Sequence, residues 1–94
     1  STRLPKFAIA PIVQCDPASG KVLLGLGSDH QIEPNDKYRV RYGFSIIGDI
    51  LITEVGDTLS TGSLRTPARE HQENVPVFPK VGWSAEFVPV DHPD

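Results

Sequence analysis

Nine prolines and eight glycines interrupt a chain of 94 residues so often that a long helix has no room to run. Proline removes a backbone donor and glycine weakens a helix, so each interruption favours a turn and leaves only short segments between turns. Within those segments the apolar residues recur mainly at every second position, the period of a strand with one face on a core. The chain is therefore read as all-β, a small antiparallel β-sandwich or flattened barrel of five to seven strands, immunoglobulin-like or Greek-key, with one long polar loop. Residues 1–94 make a single domain, because a second core would have too little chain to build on.

The clearest alternation runs over residues 37–47, where Tyr38, Val40, Tyr42, Phe44 and Ile46 alternate with Lys37, Arg39, Arg41, Gly43 and Ser45. Gly48-Asp49 follows with the glycine-first chemistry of a two-residue hairpin loop, so the sequence predicts a turn there. The resulting register pairs Ile47 with Ile50, Ile46 with Leu51, Phe44 with Thr53 and Tyr42 with Val55. It sets Ile47, Ile50 and Ile52 on the face opposite the tyrosines and makes the tip apolar on both sides. Ile47, Gly48, Asp49, Ile50 and Ile52 are accordingly the expected interaction surface, to be covered by a partner, by a second copy, or by the chain's own Val75, Val77 or Phe78. The outward Lys37, Arg39 and Arg41 form a basic stripe suited to an anionic partner, with Glu54 expected diagonally opposite Arg41.

Upstream, residues 6–14 and 21–26 read as a first hairpin closed by residues 15–20, with Pro11 at a sheet edge or a bulge because it lacks a donor. Downstream, residues 57–80 show no clear period and are read as the long polar loop. Its stretch from Ser60 to Asn74 is expected to be the most open to proteolysis, and a short helical turn is expected from Thr66-Pro67 through Glu73. A last strand over residues 81–90 should bring Trp83 and Phe87 into the core.

The stretch Ile32-Glu33-Pro34-Asn35-Asp36-Lys37-Tyr38-Arg39-Val40-Arg41-Tyr42 resembles the tyrosine-corner segment of fibronectin type III and other immunoglobulin-like sandwiches. That resemblance implies a Greek-key crossover turning at Pro34 and Asn35, with the Tyr38 hydroxyl bonded back to the crossing backbone. Leu59-Ser60-Thr61-Gly62-Ser63-Leu64 resembles the active-site loop of aspartic proteases. Ser60 stands where that family needs its aspartate, so no pair of carboxyl groups can share a proton and activate water.

No catalytic residue is assigned elsewhere. Ser28, Asp29 and His30 supply the residue types of a triad, yet neighbours on one loop do not point at one another as a triad requires. Cys15 is the only cysteine, which excludes an intrachain disulfide and favours a reducing, cytoplasmic setting. His30, His71 and His92 lack the short paired spacing of a zinc site, and Gly25-Leu26-Gly27 lacks the helix N-terminus of a phosphate cradle, so neither metal nor cofactor is assigned. Nine Lys and Arg against 12 Asp and Glu give a net charge of −3, unfavourable for nucleic-acid binding. No apolar run approaches the ~18 residues of a membrane span. The reading left standing is a non-enzymatic binding or assembly module that engages a protein partner or a second copy of itself as a homo-oligomer. The alternatives are a small hydrolase or metal-dependent enzyme gathering His30, His71 and Asp29, and a carbohydrate-binding module that stacks a sugar on Trp83 or Tyr42.

Overall fold

A computed structural model describes residues 7–66 and 74–89. Six antiparallel strands form in chain order: β1 (Ile9–Asp16), β2 (Lys21–Leu24), β3 (Lys37–Tyr42), β4 (Ser45–Val55), β5 (Ser60–Arg65) and β6 (Ser84–Phe87). They close as a barrel in the order β1-β2-β5-β4-β3-β6, with β6 returning to pair with β1. The all-β expectation holds in its barrel form. The helical content of the described residues is one 3-10 turn, Ser28–His30.

The first hairpin lies where its turn residues put it. Asp16 accepts hydrogen bonds from the Gly20 amide on its carbonyl (2.9 Å) and from the Ser19 hydroxyl on its carboxylate (2.8 Å), while Gly20 takes a φ of 78°. Pro11 lies beside a break in the ladder: Ile12 pairs with Leu24 and Gln14 with Leu23, which leaves Val13 as the bulged residue.

The second hairpin turns five residues earlier than Gly48-Asp49. Its loop is Gly43-Phe44, with Gly43 at φ 61° and no positive φ at Phe44, the pattern of a II′ turn. The register is Tyr38 with Ile50, Arg39 with Asp49, Val40 with Gly48, then Arg41 with Ile46 and Tyr42 with Ser45, so Ile47 is bulged. Both Ile47 and Gly48 thereby point inward. The expected apolar tip does not exist: Ile47, Ile50 and Ile52 have no exposure and form the middle of the core with Val22, Leu24, Tyr38 and Val40.

A further correction concerns the supposed polar loop, whose residues 60–65 are strand β5, paired with β2 on one side and β4 on the other. The sharp proteolytic sensitivity expected from Ser60 onward therefore cannot begin inside this strand. The helical turn expected through residues 67–73 lies outside the described residues. Beyond them Val75 and Phe78 pack against the core, and the last strand is trimmed to β6, with Val81 exposed and Trp83 and Phe87 half-buried at the core's margin.

One barrel end carries the tight turns at 17–20 and 43–44. The other is closed by the loops 25–36 and 56–59, which are stitched together by Ser28 N–H to Gly56 O (2.8 Å) and Asp29 N–H to Asp57 O (3.0 Å). Leu26 and Ile32 are buried beneath them. The tyrosine-corner segment thus crosses a barrel end and runs directly into β3, where Tyr38 is fully buried and meets Phe87 edge-on at 5.5 Å. It makes no sandwich crossover.

Ser60 locks this end from inside. Its hydroxyl, at 1% residue exposure, donates to the Leu26 carbonyl at 2.7 Å. Ser60→Ala leaves that acceptor without its donor, at a cost of about 1–3 kcal/mol. For a domain near this size the melting temperature should fall by roughly 4–8 °C per kcal/mol. A melt unchanged within error would show that the bond contributes nothing.

Candidate interaction surfaces

Two outward features of the barrel stand out once the core is assigned. The first is aromatic and lies at the β3–β4 hairpin. Phe44, the second residue of the turn, is wholly exposed, and Tyr42 just before it is 46% exposed. Tyr42 stacks on Trp83 with ring centroids 5.5 Å apart and an interplanar angle of 25°. Trp83 is held by its backbone, which accepts from the Ile12 amide at 2.8 Å and donates to the Lys80 carbonyl at 3.1 Å. Its ring is therefore presented to the end of β3 by the clamp on β1 and is shared between core margin and surface.

The second feature is a row of charges that follows the register around the barrel. Glu86 on β6 faces Arg39 on β3, Arg39 faces Asp49 on β4, and Asp49 faces Arg65 on β5. Arg39 forms a fork with Asp49, Nε to Oδ1 at 2.9 Å and Nη2 to Oδ2 at 3.2 Å. The hydrogen bond to Asp49, followed by the charge of that carboxylate, raises the guanidinium pKa above its ordinary value against the opposing effect of partial burial. Arg41 reaches Glu86 at 3.8 Å, so its neutralising neighbour is Glu86 rather than the expected Glu54. Glu54 instead lies opposite Thr61.

The basic stripe is therefore split. Arg41 lies with Glu86 on the β6 side, Lys37 lines a cleft of about 310 Å³ on the β4 side together with Asp49, Arg65 and Thr66, and Arg39 lines both. Arg65 is the cation that sequence reasoning missed, because it sat in a segment read as loop. Of the expected interaction surface, Asp49 alone faces outward; Ile47, Gly48, Ile50 and Ile52 are buried.

The remaining chemical candidates have structural duties. His30 accepts the Gly27 amide on Nδ1 at 3.1 Å and lies against Phe7 with centroids 5.6 Å apart, so that nitrogen is already engaged. His71 and His92 lie outside the described residues, and no group of three His, Cys, Asp or Glu that could hold a metal ion occurs among the described ones. Burial pushes the half-buried Cys15 thiol above its ordinary pKa, the wrong direction for a nucleophile. No helix among the described residues is long and apolar enough to cross a membrane. No family model, curated protein or solved structure matches the chain.

Proposed function

We propose that the chain is a protein-binding domain that anchors its partner through the β3–β4 hairpin, with Phe44 as the inserted residue. The observation that carries this reading is the complete exposure of Phe44 beside the Tyr42–Trp83 stack. A II′ turn needs glycine at its first central position and sets no requirement for an aromatic at the second. Phe44 therefore gives the isolated fold nothing, while its burial in a pocket would contribute about 1.5–3 kcal/mol, in the manner of the aromatic anchors that dominate protein interfaces.

Magnitudes favour a different protein over a second copy. Two tips meeting would bury two such rings, roughly 3–6 kcal/mol, against an association cost of at least about 4 kcal/mol. A pocket that also receives Tyr42 and the edge of Trp83 would not face that limit.

The test replaces Phe44 by a photo-cross-linking phenylalanine analogue in the cells that make the protein, with Ser19 in the Pro17–Gly20 turn at the same barrel end replaced as control. A discrete adduct with another protein from position 44, and none from position 19, is expected. Failure to form one, or equal labelling from both positions, ends this reading. An adduct of twice the chain mass would assign the contact to a second copy instead.

A further inference from the structure

Around the cleft between β3 and β5, positive charge exceeds negative, and the excess is spread along a line. Arg39 is held in its fork by Asp49, so these two cancel to first order. Lys37 and Arg65 form no ion pair with any described residue, and both line the same cleft of about 310 Å³. Thr66, Ile46 and Gly48 complete the lining of the cleft.

Spacing decides what such a cleft would take. Neighbouring strands lie about 4.8 Å apart and residues two apart on a strand about 6.8 Å, so the Lys37 and Arg65 backbones, two strands and one step removed in the register, are separated by about 12 Å. A single phosphate is best held by donors that converge on one point. Two cations at this separation, with no ion pair to a described residue and with the Arg39–Asp49 fork between them, match carboxylates carried four residues apart on an extended chain, about 14 Å, a difference that the long Lys and Arg side chains span.

We propose that this cleft binds an extended acidic peptide segment of a protein partner, Lys37 and Arg65 each receiving one carboxylate. The Arg39–Asp49 fork is the divider between those positions. It sets specificity by rejecting a third acid close to Asp49. The inference rests on the protein-binding reading only in taking the partner to be a peptide chain. The two tests fail separately, since cross-linking from position 44 does not depend on this cleft.

The probe is a synthetic octapeptide with glutamates at alternate positions, compared with its glutamine counterpart and with inorganic phosphate, by amide chemical shifts of the isotope-labelled 94-residue chain. The acidic peptide should shift the amides of residues 37–39, 48–49 and 65–66, and its affinity should fall as salt rises because the contacts are solvent-accessible. Lys37→Gln with Arg65→Gln should weaken binding roughly tenfold, the change that two part-exposed ion pairs supply. Neither side chain has an ion pair with a described residue to lose, so the double variant should keep its melting temperature. Asp49→Asn should tighten binding, because it releases Arg39 without changing the shape of the cleft. Equal shifts with the glutamine peptide, shifts confined to other surfaces, or an equal response to phosphate at the same concentration would each overturn the proposal.

Discussion

Ile50→Lys is expected to leave no folded protein at room temperature. Ile50 is fully buried, opposite Tyr38 on β3 and Leu64 on β5. Removing a buried isoleucine costs about 2–5 kcal/mol, and a lysine ammonium in its place loses its hydration with only apolar neighbours in return, a further penalty of several kcal/mol. A chain of this length is stabilised by about 5–14 kcal/mol at the usual ~0.05–0.15 kcal/mol per residue, so the two costs together consume most or all of it. Circular dichroism should show no cooperative melt, and an unfolded monomer should be seen in solution. A folded variant with an unchanged melting curve would mean that Ile50 is at a surface, and would restore the two-sided apolar tip read from the sequence.

Gly62→Ala should be nearly as damaging, although it adds one methyl group. Gly62 faces inward on β5, and a Cβ built there would lie 2.5 Å from Ile50 Cγ2 and 2.7 Å from the Leu51 carbonyl oxygen. The isoleucine is enclosed and the carbonyl belongs to strand β4, so neither can withdraw without opening the β4–β5 ladder. Overpacking of a filled core costs about 1–3 kcal/mol and more where backbone must move, which puts the expected loss at roughly 3 kcal/mol or above. That corresponds to a fall in melting temperature of about 12–24 °C for a domain near this size. A fall of less than a few degrees would show that β4 and β5 pack more loosely than the geometry describes. Gly48 on β4 offers the same measurement, with Arg65 O 2.7 Å from its would-be Cβ.

These two positions also explain what could and could not be read from the sequence. Period two identified strands over Tyr38 and Val40, over Val22 and Leu24, and over Ala85, and all five of these residues are buried. The period could not choose between two glycine-first dipeptides, Gly43-Phe44 and Gly48-Asp49, that can both close a hairpin. Local turn chemistry alone favours Gly48-Asp49. Pairing Arg39 with Asp49 and Tyr38 with Ile50 wins because it extends β4 to eleven residues, enough to hold β3 on one side and β5 on the other. The bulge at Ile47 then corrects the inward set by one position, a displacement that strict alternation does not express.

Strand β5 was hidden for a different reason. Its inward residues are Ser60, Gly62 and Leu64, and the first two are small because the space beside Ile50 and the Leu26 carbonyl is already occupied. A strand whose core face is serine and glycine carries no hydrophobic period and is indistinguishable from loop by composition. With β5 hidden, Arg65 could not be placed beside Lys37 and Arg39, and the cleft had no sequence signature. The aromatic hairpin is half legible: Tyr42, Phe44 and Trp83 are conspicuous in the sequence, but their parity matches that of buried neighbours, so they read there as core residues or a sugar platform.

Strand β6 is four residues long, joined to β3 by the pairs Tyr38–Phe87 and Arg39–Glu86 and to β1 by three pairs from Ile9 to Pro11. It is thus the keystone of the cylinder, brought in from the opposite end of the chain to meet β1. Such a closure has the largest loop-entropy cost of any contact in the molecule and must come late in folding, after the local β3–β4 and β4–β5 pairings. Until it is made, β1 and β3 each present a row of unsatisfied amides and carbonyls, the template on which chains add to one another as sheets. The finished barrel has no such row, so its resistance to aggregation depends less on the large core around Ile50 than on how firmly four residues hold their place.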